Sequence, residues 1–166
     1  MAVSDYLLIC KGPEVKGESQ DDKYPESIEV HGFSWSGHNA STHRHGSGGG
    51  KGQVSHGDLQ IQRLFDKASI AIFDKLNCGD HVKEVTLIIR KKTGEEGKPL
   101  EYLKLKLEKA TVSAHSVSGQ NGGDVHESLT LAYEQMKWEY TEQKADGTKG
   151  AVVGAGWNHA THKRLG

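Results

Sequence analysis

The feature that most constrains the fold of this chain is the alternation of apolar and charged side chains within residues 100–107, which is strict from Leu103 onward. Leu103, Leu105 and Leu107 occupy every second position, and lysines fill the positions between them. Because successive side chains of a β-strand point to opposite faces, this spacing predicts a strand with one buried and one solvated face. Such strands are typical of antiparallel sheets that pack one face against a core.

Other short segments of strand-like composition follow at close intervals. They are predicted at residues 6–9, 27–35, 53–65, 82–90, 110–117, 127–133 and 136–141. About eight such strands, separated by polar or glycine-rich turns, indicate a small barrel or sandwich. The predicted fold class is mainly β: a compact β-barrel of two antiparallel sheets, flanked by one α-helix and carrying a long extended loop.

The two faces of the predicted strand at residues 27–35 differ in composition. The face that carries Phe33 and Trp35 is the better candidate for the core, because the opposite face ends in small residues. Ile28 and Val30, on that opposite face, are expected to pack against a neighbouring subunit.

The one predicted helix covers residues 69–78. Ser69 is expected to cap it, because its hydroxyl can accept a hydrogen bond from an N–H of the first turn, and Gly79 is expected to end it in the left-handed conformation. Three apolar side chains recur at helical spacing and are expected to face an open side of the sheets: Ile70, Phe73 and Leu76.

Two segments lack a strand pattern. Residues 37–52, with the sequence GHNASTHRHGSGGGKG, form a loop of a length that is usually functional or disordered. Two interpretations remain open, a floppy hairpin tip and an interaction loop that becomes ordered on a partner. Residues 143–166 are predicted to be a polar C-terminal tail that docks through Trp157. The whole chain, residues 1–166, is expected to be a single domain.

The composition favours a soluble protein made in the cytoplasm. A formal net charge of -1 gives no electrostatic reason to bind nucleic acid or an anionic membrane. No apolar run approaches the ~18 residues that span a bilayer, and the N-terminus lacks the cationic start of a signal peptide. Cys10 and Cys78 are too few for a disulfide framework, and each is expected to be a small buried hydrophobe.

No constellation of residues predicts catalysis, a cofactor or a metal. Residues 47–52, SGGGKG, fail as a phosphate-binding loop, because His45 stands where the motif needs glycine and Gly52 where it needs serine or threonine. His43 and His45, with His38 nearby, could chelate a divalent ion. However, no cysteine or carboxylate joins them at the spacing of a structural site. The sequence therefore predicts neither an enzyme, nor a cofactor, nor a native metal site.

Clusters of charged residues are expected to be solvated. Asp21 and Asp22 stand in a polar turn. Arg90 and the two lysines that follow it are expected to face Glu95 and Glu96 across a turn and to be largely neutralised by them.

Several segments, taken in order, resemble one protein family. They include VKGES at residues 15–19, SWS at 34–36, GGGKG at 48–52, LIIRK at 87–91, EYL at 101–103, KADG at 144–147 and GWN at 156–158. In this order and spacing the chain resembles, over nearly its whole length, haemolysin-coregulated protein (Hcp), the inner-tube subunit of the bacterial type VI secretion system.

The resemblance implies a two-sheet β-barrel flanked by one helix, with copies closing into a homohexameric ring. Stacked rings would form a tube inside a contractile sheath, and contraction would eject the tube with its spike protein. The lumen would carry small effector proteins, and the chain would be secreted from the bacterial cytoplasm without a signal peptide. The protein is not expected to bind nucleic acid or to insert into a membrane.

The resemblance also implies candidate site residues. Ser34 aligns with a lumen-facing serine of the family, and Gly32 on the same face suits a pore wall of small and polar side chains. Residues 37–52 match the family loop that reaches the adjacent ring, with these stacking candidates: His43, His45, Gly48, Gly49, Gly50 and Lys51. The loop has more histidines than the family pattern, so stacking is expected to weaken below about pH 6.

Two other functions are compatible with the residues. One is a stand-alone β-barrel that binds a ligand or a protein, with the long loop as a lid. The other is a metal-dependent hydrolase that uses the histidines. A stand-alone binding domain would be a monomer in solution, and a metal-dependent hydrolase would bind a stoichiometric amount of metal.

Overall fold

The computed structural model describes residues 4–40, 53–92 and 98–166. Within them the strands before the helix are β1 (Ser4–Lys11), β2 (Ile28–Val30), β3 (Gly32–Ser34), β4 (Gly37–Asn39), β5 (Val54–His56) and β6 (Leu59–Leu64). The helix α1 spans Lys67–Cys78. The strands after it are β7 (Val82–Lys92), β8 (Pro99–Ser118), β9 (His126–Ala132), β10 (Gln135–Gln143), β11 (Lys149–Asn158) and β12 (Lys163–Leu165).

The strands form two antiparallel sheets and a small hairpin. The first sheet has the order β12-β11-β10-β8-β7-β1-β2, and the second has the order β3-β6-β9-β8. Among the described strands, β4 and β5 pair only with each other. The predicted mainly-β fold of two sheets and one helix is therefore confirmed. The two sheets meet through bends in the chain rather than through one continuous hydrogen-bonded ladder.

The backbone bends directly from one sheet into the other within β8 and between β2 and β3. β8 pairs with β7 and β10 along its first half and with β9 along its second half. The sequence predicted two strands here, whereas the structure has one, with Lys109 at a φ of 50° where the strand leaves the first sheet. At the other edge β2 and β3 are separated by His31, whose N–H donates to the carbonyl of Gln62 at 2.9 Å.

The core lies between the two sheets. Leu105 and Leu107 of β8 are almost completely buried, as their alternation predicts, and Leu129 and Leu131 of β9 face them from the second sheet. The period-two pattern thus predicts the buried face of both strands correctly.

The bend at His31 corrects the predicted faces of residues 27–35. Ile28 and Val30 are buried in the chain's own core rather than free to contact another subunit. Phe33 and Trp35 also pack against that core, but they are only partly buried. Even-numbered residues point inward before the bend and odd-numbered residues point inward after it, because β2 belongs to the first sheet and β3 to the second.

The helix begins earlier than predicted and buries a different face. Asp66, not Ser69, is the N-cap, and its side chain accepts from the N–H of Ala68 at 2.8 Å. Ser69 completes a capping box from the third helical position. Ala68, Ser69 and Ile72 are buried, whereas Ile70 and Phe73 are 62% and 55% exposed.

The end of the helix matches the prediction. Gly79 follows it with a φ of 69°, and its N–H donates to the carbonyl of Lys75. Cys78, at the last helical position, is exposed and not buried as expected, whereas Cys10 is buried in β1. Burial raises the pKa of the Cys10 thiol to about 12. The positive charge of Arg63 lowers this pKa, but its effect is smaller than that of burial.

The segment predicted to be a C-terminal tail is folded into the first sheet. β11 pairs with β10 along most of its length, and β12 adds the outer strand. Trp157 lies in β11, with its ring centroid 6.5 Å from that of His56. The predicted contact of this tryptophan therefore exists, but a strand and not a loose tail supplies it.

No helix in the described ranges is long and apolar enough to cross a membrane.

Candidate functional site

The outer face of the second sheet holds both residues predicted for the lumen, Gly32 and Ser34 of β3. Ser34 pairs with Gln60 of β6 and Gly32 pairs with Gln62. The hydroxyl of Ser34 donates to Oε1 of Gln60 at 3.2 Å. Ser34 is exposed and Gly32 is partly buried.

The same polar face continues across the neighbouring strands. Thr130 and Ser128 of β9 are opposite the two glutamines, and Ala114 and Ser116 of β8 are opposite these in turn. We call the set the polar face: Gly32, Ser34, Gln60, Gln62, Ala114, Ser116, Ser128 and Thr130. None of its side chains is charged and none is a large apolar group.

The polar face exists because alternate residues of the same strands fill the core. Ile61 and Leu129 lie between the outward-facing residues of β6 and β9, and both are buried. A period of two therefore places every small polar side chain of these strands outside. Of the set, the sequence singled out only Gly32 and Ser34. The alternation in β6 and β9 could have indicated the four members on those strands, Gln60, Gln62, Ser128 and Thr130.

A cavity of about 410 Å³ opens at one end of the polar face. Its wall includes Gly32 and Gln62 from the polar face, with His31 between β2 and β3 and His126 at the start of β9. Arg63 and Glu127 also line it. The cavity is polar and open on one side, so it resembles a groove in a wall more than an enclosed ligand pocket.

Arg63 and Glu127 form a buried ion pair below this face. Their side chains are 1% and 0% exposed, and Nη1 of Arg63 lies 2.8 Å from Oε2 of Glu127. Arg63 also donates to Oγ of Ser69 at 3.0 Å and pairs with Asp66 at 2.5 Å, which ties the second sheet to the start of the helix. Nε2 of His115 lies 3.1 Å from the second oxygen of Glu127.

This ion pair was not predicted, although the alternation of side chains in both strands places Arg63 and Glu127 on inward faces. Arg63 continues the inward series of Leu59 and Ile61, and Glu127 precedes the inward Leu129 and Leu131. A charged residue on an inward face requires a partner of opposite charge. The two positions could therefore have been matched before the structure was known.

The outer face of the first sheet has the opposite character, because it is charged. Lys106 of β8 lies 3.3 Å from Glu84 of β7, and Lys137 lies 3.5 Å from Glu139 within β10. These pairs are partly exposed, so each contributes little to stability. The molecule therefore has an uncharged polar surface on one sheet and a surface of alternating charges on the other.

Among the described residues, Arg90 is paired with two carboxylates that the sequence did not suggest as its partners. Its side chain is 4% exposed, and Nη2 lies 2.6 Å from both Asp5 and Asp21. Asp21 is accordingly not a freely solvated carboxylate: the hydrogen bond from Arg90 lowers its pKa, against the opposing effect of burial. Glu95 and Glu96, the predicted partners, lie outside the described residues.

Two exposed apolar patches lie on different elements. The helix patch comprises Ile70 and Phe73, with Phe65 just before the helix. The strand patch comprises Tyr140 of β10 and Val153 of β11, which are paired neighbours; Val152 is also exposed, but it pairs with Thr141 and points to the opposite face. Exposed apolar patches on a soluble chain often mark contact sites for another protein.

Known proteins are similar to this chain in both sequence and fold. Residues 6–140 match the family model described as type VI secretion system effector, Hcp. A relative from Pseudomonas aeruginosa, protein hcp1, is 37% identical over 160 residues, which are 95% of this chain and 96% of the relative. The chain belongs to the Hcp family.

Solved structures agree with this assignment. A type six secretion system protein superposes with a TM-score of 0.89 at 28% identity, covering 98% of this chain and all of that one. Hcp1 from Salmonella typhimurium superposes with a TM-score of 0.78 at 30% identity, covering 99% of this chain and all of that one. Hcp proteins thus share the two-sheet fold, including the C-terminal strands beyond the family-model match.

The predicted stacking residues of this Hcp chain lie outside the described residues: His43, His45, Gly48, Gly49, Gly50 and Lys51. The loop is anchored by the β4–β5 hairpin, where Gly37 pairs with His56 and Asn39 with Val54. Residues 37–39, which were predicted to be part of the long loop, belong to a strand. Within the described ranges, no group of three or more His, Cys, Asp or Glu side chains is placed to hold a metal ion.

Proposed function

We propose that this chain is the structural tube subunit of a bacterial type VI secretion system and not an enzyme. Six copies would close into a ring, and rings would stack into a tube that contacts spike and sheath proteins and leaves the cell without a signal peptide. Small effector proteins would occupy the lumen. Membership of the Hcp family supports this role, and the contrast between the polar face and the charged face of the first sheet carries it.

The polar face suits the wall of a pore. A surface without net charge or large apolar side chains allows varied protein cargo to pass without strong electrostatic or hydrophobic trapping. Serine, threonine and glutamine still offer hydrogen bonds to cargo and to water. The charged face of the first sheet would then point outward, where ion pairs keep a tube soluble.

The two apolar patches support the ring contact. A closed ring of identical subunits is built from a head-to-tail contact between two different surfaces. The expectation from the sequence is an interface built mainly from strand faces rather than from the helix, and the strand patch around Val153 offers such a face. In a departure from that expectation, we assign the exposed helix patch around Phe73 to the other side of the contact, because it is an unlike apolar surface.

A mixing experiment tests this assignment. Phe73→Asp should damage the helix patch alone, and Val153→Asp the strand patch alone, so each variant by itself should sediment as a monomer. Mixed together, the intact strand patch of one and the intact helix patch of the other should give a heterodimer that cannot close. The unchanged chain and Gln120→Asp, on an exposed turn, should form hexameric rings in negative-stain images.

Each outcome of the mixing experiment has a clear meaning. A monomeric unchanged chain at micromolar concentration would overturn the ring and favour a stand-alone binding module. Rings formed by Phe73→Asp would exclude the helix patch from the contact and leave the strand faces alone. Two monomeric variants that give no heterodimer on mixing would show that the patches do not contact each other.

A further inference from the structure

The base of the β4–β5 hairpin contacts the C-terminal end of the first sheet through two imidazole rings. Nδ1 of His56, in β5, lies 3.2 Å from Nε2 of His159, just after β11. Their ring centroids are 4.7 Å apart, with the planes nearly perpendicular. This is the distance of an N–H···N hydrogen bond, in which one ring donates and the other accepts.

Aromatic side chains surround this pair. Trp35 lies 5.3 Å from His56 and Tyr133 lies 5.3 Å from His159, measured between ring centroids. Nε1 of Trp35 donates to the hydroxyl of Tyr133 at 2.8 Å, and that hydroxyl donates to the carbonyl of Gly57 at 2.7 Å. The hairpin is therefore hydrogen-bonded to the body of the molecule at Gly57 as well as at His56.

The charged groups around the pair do not favour its protonation. Beside burial and His56, the neighbouring His162 also lowers the pKa of His159. Asp58 acts on Tyr133, and His38 lies on the neighbouring strand β4. Within the described part of the chain, neither imidazole forms an ion pair with a carboxylate. A proton added to the pair thus has no anionic partner there.

We propose that His56 and His159 form a proton-sensitive latch that fixes the hairpin when at least one imidazole is neutral and weakens its attachment when both are charged. Two imidazolium rings are both donors, so the N–H···N hydrogen bond is lost and two like charges face each other. Where this chain forms stacked rings, as proposed above, the latch would set the direction in which the loop leaves each ring.

The sign of the pH dependence follows from the surroundings of the rings. Burial lowers the pKa of His56, and burial together with His56 and His162 lowers that of His159. The detached hairpin therefore binds protons more tightly than the attached one. Attachment is strongest above the ordinary histidine pKa of about 6.5 and is lost progressively as the pH falls below it.

Hydrogen exchange of the hairpin amides tests the latch. The N–H of Gly57 donates to the carbonyl of Ser36 at 2.8 Å and reports on the hairpin base. After correction for intrinsic exchange rates, its protection should fall about tenfold between about pH 8 and about pH 5.5, while β7 and β8 amides stay protected. In the double variant His56→Gln, His159→Gln, protection of Gly57 should not depend on pH, whatever its absolute level.

A matched variant separates the latch from the other histidines of the hairpin and loop. His38→Gln, His43→Gln, His45→Gln keeps the pair and should retain the full pH dependence. Protection that is independent of pH in the unchanged chain, or a dependence that disappears in the triple variant, would overturn the latch. Sedimentation at both pH values records the oligomeric state separately, so a failure of the ring proposal would be recognised as such.

Discussion

At the scale of the residue, the buried pair of Arg63 and Glu127 has the greatest consequence for stability. Each side chain is essentially inaccessible, so the loss of one leaves the other charge buried without its partner. The cost of such a break is about 3–5 kcal/mol, whereas replacing both charges with apolar residues is often nearly neutral. The pair therefore fixes how the sheet packs against the helix, although two apolar residues could replace it at little cost in stability.

We expect Arg63→Met and Glu127→Leu each to lower the free energy of unfolding by about 3–5 kcal/mol, and the double variant to lose less than the sum. Urea unfolding at one fixed protein concentration measures all four proteins. Additive losses would contradict a direct interaction between the two charges. The exposed pair of Lys106 and Glu84 is the control, because its removal should cost at most about 1 kcal/mol.

Glu101 makes the fold sensitive to acid. Burial opposes its ionisation, but hydrogen bonds from Lys104, Lys23 and Tyr24 outweigh burial and lower its pKa to about 2, from an ordinary value of 4.5. The hydroxyl of Tyr24 donates to Oε1 at 2.6 Å, and Lys104 lies 2.7 Å from Oε2. A carboxylate with a lowered pKa stabilises the fold above its unfolded pKa and loses that effect as the pH falls toward the folded pKa.

We therefore expect the stability difference between the unchanged chain and Glu101→Gln to be constant near neutral pH and to shrink between pH 4.5 and about pH 2. Urea midpoints measured across that range give the difference directly. Glu142→Gln is the matched control, because Glu142 is exposed and forms no ion pair within the described residues. A difference for Glu101→Gln that stays constant down to pH 2 would contradict the role of these hydrogen bonds.

At the scale of the element, the period-two pattern predicted most strands, but it did not predict how α1 packs. Ile70 and Phe73 are the more apolar pair, yet the helix buries Ala68, Ser69 and Ile72. Ala68 allows close approach to the sheet, and Ser69 bonds to Arg63. Hydrophobicity alone could not indicate this, because the choice depends on a buried charge that belongs to another element.

The bends between the sheets were also absent from the sequence prediction. At Lys109 the backbone has a φ of 50°, in a region that β-branched side chains rarely adopt. No glycine or proline marks the site, so a pattern search reads two strands where there is one. The C-terminal strand β11 escaped prediction for a related reason, because glycines at alternate positions dilute its apolar pattern.

Substitution at Lys109 tests the bend. We expect Lys109→Val to lower the free energy of unfolding by about 1–2 kcal/mol, because a β-branched residue resists the left-handed conformation. Lys109→Asn, which tolerates that conformation, should cost less than Lys109→Val. Both variants lose the exposed ion pair with Glu134, so the difference between them reports on the backbone. Equal unfolding midpoints would contradict strain at this position.

At the scale of the whole molecule, the resemblance in sequence led to the family, whereas the strand pattern alone led only to a small barrel or sandwich. The polar face could be derived from alternation, because its strands also fill the core. The patches could not be derived, because they depend on which helix face is buried and on β11. The proposed stacking role of residues 37–52 remains a prediction.

The polar face gives the lumen proposal a direct test. Ser34→Arg introduces a long cation on a face that carries no charge, so it should keep the ring intact and reduce the effector content of purified rings severalfold. Ala145→Arg, on an exposed turn away from this face, is the control and should leave effector content unchanged. Unchanged effector content in Ser34→Arg rings would exclude Ser34 from the lumen.

The length of β8 has a mechanical consequence. Its 20 residues pair with β7 and β10 in the first sheet and with β9 in the second. Pulling one sheet away from the other would strain the hydrogen bonds of both at once, because β8 itself crosses the boundary and is paired on each side of it. The sheets should therefore yield together under load, and a subunit stretched between its ends should give way in one abrupt step instead of peeling apart sheet by sheet.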